Sequence, residues 1–149
     1  MSSKFSRLDF LRFSALGASS LFIPRALTAA EAPKKAKKGD VNDKINIGFI
    51  GLGQQAIHLL NGFIAIPEVR VVAGCDVYDI KRNRFENRVN SYYADKGIKQ
   101  TVDMYIKFEE LLAREDIDAV VIATPDHQHA RIAIAACKAG KDVYLEKPL

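Results

Sequence analysis

The stretch INIGFIGLGQQAIHLL, residues 45–60, constrains this chain more than any other. It passes from strand-like apolar residues through a turn holding two glycines straight into a helical pattern. Ala56, Leu59, Leu60, Phe63 and Ile64 recur at the spacing of one helix face. VRVVAGCD, residues 69–76, then reads as a second buried strand, short and rich in valine. Pro67 closes the connection, so one strand–helix–strand unit of about 30 residues is predicted. Two glycines and an alanine at the junction mean that the backbone must come unusually close to something there.

The rest of the sequence repeats that alternation. A second helix follows Asp79, with Phe85, Val89, Tyr92 and Tyr93 on its apolar side. A short third strand is expected around KQTVDMY, a short helix at KFEELLARE, and the strongest strand of the chain at IDAVVIATP. The last helix is expected to start near Asp126, capped by that side chain, and to bury Ala130, Ala133, Ile134 and Cys137. Arg131 and Lys138 take its opposite face, Gly140 is its expected left-handed terminator, and KDVYLEKPL forms a fifth strand. The fold class is therefore α/β, a doubly wound parallel sheet in three layers with right-handed crossovers. The glycine turn after the first strand favours the dinucleotide-binding strand order 3-2-1-4-5.

With 149 residues, 48% of them hydrophobic, the chain can hold one globular domain. Its +4 charge is not a property of that domain. Residues 1–40 hold eight Lys/Arg against three acids, and the remainder is nearly balanced at −1. No cationic face for nucleic acid is expected from such a remainder. The basic head reads as an export signal: a cationic MSSKFSRLDFLR, an apolar FSALGASSLFI, then small residues in PRALTAAEA. SRLDFLR resembles a twin-arginine motif but has Leu8 where the second arginine belongs. An eleven-residue stretch is too short for a membrane span of about 20 residues. Residues 1–40 are thus expected to be signal and lysine-rich leader, and 41–149 the domain. The expected location is the periplasm, or the cytoplasm if the segment does not act as a signal. Two cysteines make no disulfide framework, and Cys75 and Cys137 are both expected to be buried thiols.

Gly51, Gly53 and Ala56 fit G-x-G-x-x-A between a strand and a helix. In that role Gly51 permits the tight turn, Gly53 leaves room for a pyrophosphate, and Ala56 lets the helix approach the sheet. The helix start at Gln54 and Gln55 offers free N–H groups and a partial positive charge to the phosphates. Asp76 lies 23 residues after Gly53, where an acid accepts hydrogen bonds from the adenosine ribose. NAD is favoured on that ground and NADP remains possible, because Lys81, Arg82 and Arg84 can either reach the ribose or form a solvated helix face. His127 and His129 do not make a metal site, since a catalytic zinc wants three protein ligands. His58 is expected on the polar side of the first helix, with Asn61 and Gly62.

Taken with ATPDHQH and YLEKP, these motifs resemble the amino-terminal domain of the Gfo/Idh/MocA oxidoreductases over residues 44–149. The resemblance implies a Rossmann-type domain, an NAD or NADP cofactor and a sugar, polyol or related hydroxyl substrate. It implies that Thr124, Pro125 and His129 line the nicotinamide-side ribose. Asp126 stands where many members have Asn. Glu146 and Lys147 match the family's Glu-Lys-Pro, whose lysine reaches the nicotinamide and the substrate hydroxyl, making Lys147 the expected catalytic proton acceptor. Pro148 would hold Lys147 extended. The family's second, α+β substrate domain is absent from the 149 residues, so the chain is expected to act as a fragment that binds dinucleotide without turning over substrate, the full-length form being a homo-oligomer. Two other outcomes stay open: an NAD-dependent glycosidase of the same superfamily, and a non-catalytic dinucleotide-binding fragment.

Overall fold

The computed structural model describes residues 44–147. The expected export signal and leader, and Pro148, lie outside the described residues. Five strands, β1 (Ile45–Ile50), β2 (Val69–Cys75), β3 (Asp103–Tyr105), β4 (Ala119–Ile122) and β5 (Asp142–Leu145), form one sheet in the order β3-β2-β1-β4-β5. Every neighbouring pair is parallel. The helices are α1 (Gln54–Phe63), α2 (Asp79–Asp95), α3 (Phe108–Leu112) and α4 (Asp126–Lys138). This is the strand order expected from the glycine turn. Among the described residues no helix is long and apolar enough to cross a membrane.

Alternation along β1 divides the core between the two faces of the sheet. Ile47 and Phe49 pack with Leu60 of α1 and Phe85, Val89 and Tyr93 of α2. Ile50 packs on the other side with Leu111 and Leu112 of α3 and Ile132 and Ala136 of α4. The β1–β2 register slips by one residue between Ile47 and Gly48, which pair with Val71 and Ala73. Val72 is therefore an extra residue, and both it and Ala73 join the second cluster. The buried Tyr93 hydroxyl closes the irregularity: it accepts from the Val71 amide at 2.7 Å and donates to the Val71 carbonyl at 3.1 Å.

The last helix departs from expectation in its rotation. His129, Ile132 and Ala136 are buried, whereas Ala130, Ile134 and Cys137 are exposed and Ala133 is half-buried. An alanine-rich helix has weak hydrophobic contrast, and the phase is set instead by His129, whose Nε2 lies 2.8 Å from the Thr124 carbonyl oxygen. Asp126 is the first helical residue rather than the cap. Pro125 occupies the cap position with extended backbone, and no side-chain cap bond forms. Gly140 does take a left-handed φ of 72°.

The exposed Cys137 corrects the expectation of two buried thiols. Cys75 is buried, and burial first, then the neighbouring Asp76 charge, push its thiol up to about 12. With DTNB at about pH 8, one thiol per native chain is expected to react and the second only in denaturant. Two fast native thiols would show that the end of β2 is open.

Candidate dinucleotide site

Leaving β1, the chain must turn against the end of β4 to start α1. Gly51 achieves this with φ 85°, in the left-handed region where a Cβ is disfavoured. A Cβ here would also lie 2.7 Å from the Thr124 amide nitrogen and 2.8 Å from the Ala123 carbonyl. The Gly51 amide donates to the Cys75 carbonyl at 2.8 Å, tying the turn to β2 as well. Gly53 caps α1 with ordinary extended angles, and a Cβ added to it would meet nothing within 4 Å. The two glycines thus serve different ends: Gly51 fits a crowded interior and Gly53 faces open space.

The helix start beside it carries free donors. Gly53 N–H donates to no group among the described residues. Gln54 and Gln55, both exposed, open α1, whose first turn carries no acid to neutralise the positive end. Ala56 is fully buried, so it brings the helix onto the sheet and cannot touch a ligand itself.

Asp76 does more than its spacing suggested. The residue is 9% exposed, and its carboxylate accepts from the Leu52 amide at 2.8 Å through Oδ2 and from the Tyr78 amide at 3.0 Å through Oδ1. The Lys81 ammonium lies 3.7 Å from Oδ2 and 4.6 Å from the centre of the Tyr78 ring. Arg82 donates to the Asp76 carbonyl at 2.6 Å and pairs with the Asp79 carboxylate. Arg84 donates to the Leu52 carbonyl at 2.7 Å. The three basic residues therefore gather around the turn and the acid.

Across the sheet's carboxyl edge, a crevice of about 490 Å³ opens between Gly51, Asp76 and Tyr78 and the segments after β3 and β4. Thr124 and Pro125 line it. The Thr124 hydroxyl oxygen is buried and has no hydrogen-bond partner among the described residues. His129 lies behind this loop, 3% exposed, bracing it through Thr124. His127, which faces the crevice, was not singled out as a site residue. Sequence reasoning also missed Ile106 and Phe108, which form an apolar wall, and Arg131, whose guanidinium lies 5.0 Å from the Phe108 ring centre. Their signal was topological, because segments following β3 and β4 must emerge at the same edge as the glycine turn.

Glu146 and Lys147 follow β5. The Glu146 amide donates to the Ile122 carbonyl at 3.1 Å, extending the ladder beside the end of β4. Lys147 is exposed and is the last described residue, outside the crevice lining. The geometry thus joins Gly51, Asp76, Thr124 and Pro125 in one crevice, leaves Gly53, Gln54 and Gln55 at the helix start outside its lining, and sets Glu146 and Lys147 at the neighbouring strand end. An open glycine, unpaired amides at a bare helix start and a buried acid are the donor and acceptor set a dinucleotide requires.

Known proteins are similar to this chain in the same terms. A family 109 glycosyl hydrolase protein from Shewanella sp. strain ANA-3 is 31% identical, the match covering 99% of this chain and 34% of that protein. A 3-ketoreductase from Actinomadura kijaniata, solved in complex with NADP and TDP-benzene, is 30% identical with a TM-score of 0.61, covering 72% of this chain and 30% of its own. Scyllo-inositol dehydrogenase from Lactobacillus casei is 28% identical with a TM-score of 0.55, covering 72% and 29%. The chain spans about a third of the length of the curated relatives it matches. Residues 45–149 match the oxidoreductase family with an NAD-binding Rossmann fold, and the chain belongs to that family, Gfo/Idh/MocA.

Proposed function

We propose that this chain supplies the dinucleotide-binding part of an NAD(P)-dependent oxidoreductase acting on the CH–OH group of a sugar, polyol or related compound. The observation that carries the reading is the Gly53 amide at the start of α1, which donates to no group among the described residues, on a residue whose Cβ position is open, with the Asp76 carboxylate bonded to the adjacent Leu52 amide. When bound, the nicotinamide supplies the hydride acceptor or donor.

The chain's own residues do the rest in this reading. Gly53, Gln54 and Gln55 hold the diphosphate through backbone N–H groups. Asp76 accepts from the adenosine ribose hydroxyls with the lone pairs its bonds to Leu52 and Tyr78 leave unused. Thr124 and Pro125 line the second ribose. His129 holds their loop in place. Glu146 anchors the strand end so that Lys147 can take the proton of the substrate hydroxyl. The same proposal takes residues 1–40 as an export signal and leader and the working form as a homo-oligomer.

A second reading, an NAD-dependent glycosidase, is favoured by the 31% identity to family 109 glycosyl hydrolase proteins over nearly the whole chain. Release of aryl alcohol from aryl glycosides by the full-length protein, with no net change in NADH, would select it. The primary test is calorimetric titration of the chain with NAD and with NADP. Saturable heat is expected with at least one of them, and its absence with both at millimolar concentration would remove the basis of either reading.

A further inference from the structure

We propose that Arg84 is a positioning residue for the diphosphate: by holding the Leu52 carbonyl it aims the Gly53 amide at the ligand. The inference rests on the reading that a dinucleotide sits at the glycine turn.

A trans peptide directs its C=O and N–H to opposite sides of the chain. The Leu52 carbonyl accepts from the Arg84 guanidinium at 2.7 Å, on the α2 side of the turn. The Gly53 N–H of the same peptide must then point away from α2. It finds no acceptor there among the described residues, and beyond its two chain neighbours nothing lies within 4 Å of where a Gly53 Cβ would stand. Leu52 is fixed from its other side too, its amide donating to Asp76 at 2.8 Å. Both polar groups of one residue are therefore clamped by side chains of the β2–α2 segment, one charged acceptor and one charged donor. Gly53 has no side chain to fix its own orientation, and without the Arg84 bond the Leu52–Gly53 peptide can rotate as a unit at little steric cost. The clamp fixes that orientation before the ligand arrives, which reduces the ordering that binding must impose.

Arg88 provides the matched control, one turn along α2. It donates to the Asn61 side chain at 2.8 Å and does not reach the turn.

The test is titration of the 149-residue chain with ADP-ribose and, separately, with adenosine, which lacks the diphosphate. Arg84→Ala is expected to weaken ADP-ribose binding on the order of tenfold, leave adenosine within about twofold, and keep the wild-type dependence of affinity on salt. Arg88→Ala is expected to bind both ligands as wild type does, and Arg84→Lys to fall between wild type and Arg84→Ala. If Arg84→Ala does not fold, as judged by thermal unfolding, Arg84→Lys carries the same measurements. Unchanged ADP-ribose affinity would overturn the proposal, as would an equal loss for adenosine or for Arg88→Ala. A flatter salt dependence in Arg84→Ala would also overturn it, because the guanidinium would then be touching the phosphates directly. Should wild type bind adenosine but not ADP-ribose, the dinucleotide reading itself fails, and the role of Arg84 with it.

Discussion

Gly51→Ala is expected to destabilise the domain by about 2–5 kcal/mol, whereas Gly53→Ala leaves stability within about 1 kcal/mol of wild type and weakens dinucleotide binding by roughly tenfold or more. The two glycines look equivalent in the motif, but their surroundings are opposite. At Gly51 a Cβ would face the Thr124 amide at 2.7 Å and the Ala123 carbonyl at 2.8 Å, both backbone atoms that cannot rotate aside, in a residue already at φ 85°. Strain and overpacking therefore add. At Gly53 φ is −70° and the space is empty, so the methyl group meets no protein atom. Alanine is a poorer helix cap than glycine, but it also restricts the unfolded chain, and these small effects oppose one another. The methyl group instead occupies the volume assigned to the diphosphate. Thermal unfolding of both variants, with NAD titration of Gly53→Ala, checks the pair. Wild-type melting of Gly51→Ala would mean that the turn does not press on β4, and wild-type affinity in Gly53→Ala would place the diphosphate elsewhere.

The fold was legible where the sequence has strong contrast. β1, β2 and β4 are short, β-branched and bounded by turn residues, and their spacing around one glycine turn implied the whole strand order. The face of α1 was legible for the same reason, with Ala56 and Leu60 buried and Asn61 and Gly62 exposed. In α4 the contrast fails, because alanines occupy both faces and a buried histidine occupies a core position. A hydrogen bond to Thr124, invisible to any periodicity, decides that rotation.

The site divides along the same line. Gly51, Gly53 and Asp76 could be found from spacing because the backbone alone determines where they stand. The roles of Lys81, Arg82 and Arg84 could not, since a charged side chain on α2 reads as a solvated face until its partner is known. Arg84 and Leu52 are 32 positions apart in sequence and meet only through the packing of α2 beside the turn. Periodicity describes which side of an element is apolar, and says little about where a long polar side chain ends.

Asp76 is where stability and ligand choice meet, and Asp76→Asn is expected to alter both. The carboxylate now accepts from two backbone amides, Leu52 at 2.8 Å and Tyr78 at 3.0 Å, in a site only 9% exposed. Asparagine has one acceptor oxygen, so its NH₂ group must face one of those amides. Either the buried Leu52 N–H or the part-buried Tyr78 N–H loses its acceptor, which costs up to about 1–3 kcal/mol. Lys81, 3.7 Å from the carboxylate, loses its counter-charge at the same time. Looser clamping of Leu52 weakens NAD and NADP alike, so the ratio of their affinities isolates the contact with the ribose. Removing the negative charge while Lys81 and Arg82 stay should favour a 2′-phosphate, shifting the NADP-to-NAD preference on the order of tenfold toward NADP. Unfolding curves and paired calorimetric titrations separate the two effects. If melting falls but the ratio holds, Asp76 serves only to brace the turn and the adenosine end of the cofactor is read by other residues. If the ratio moves while melting holds, the observed bonds to Leu52 and Tyr78 contribute little, and the turn must be held chiefly by Gly51 against β4.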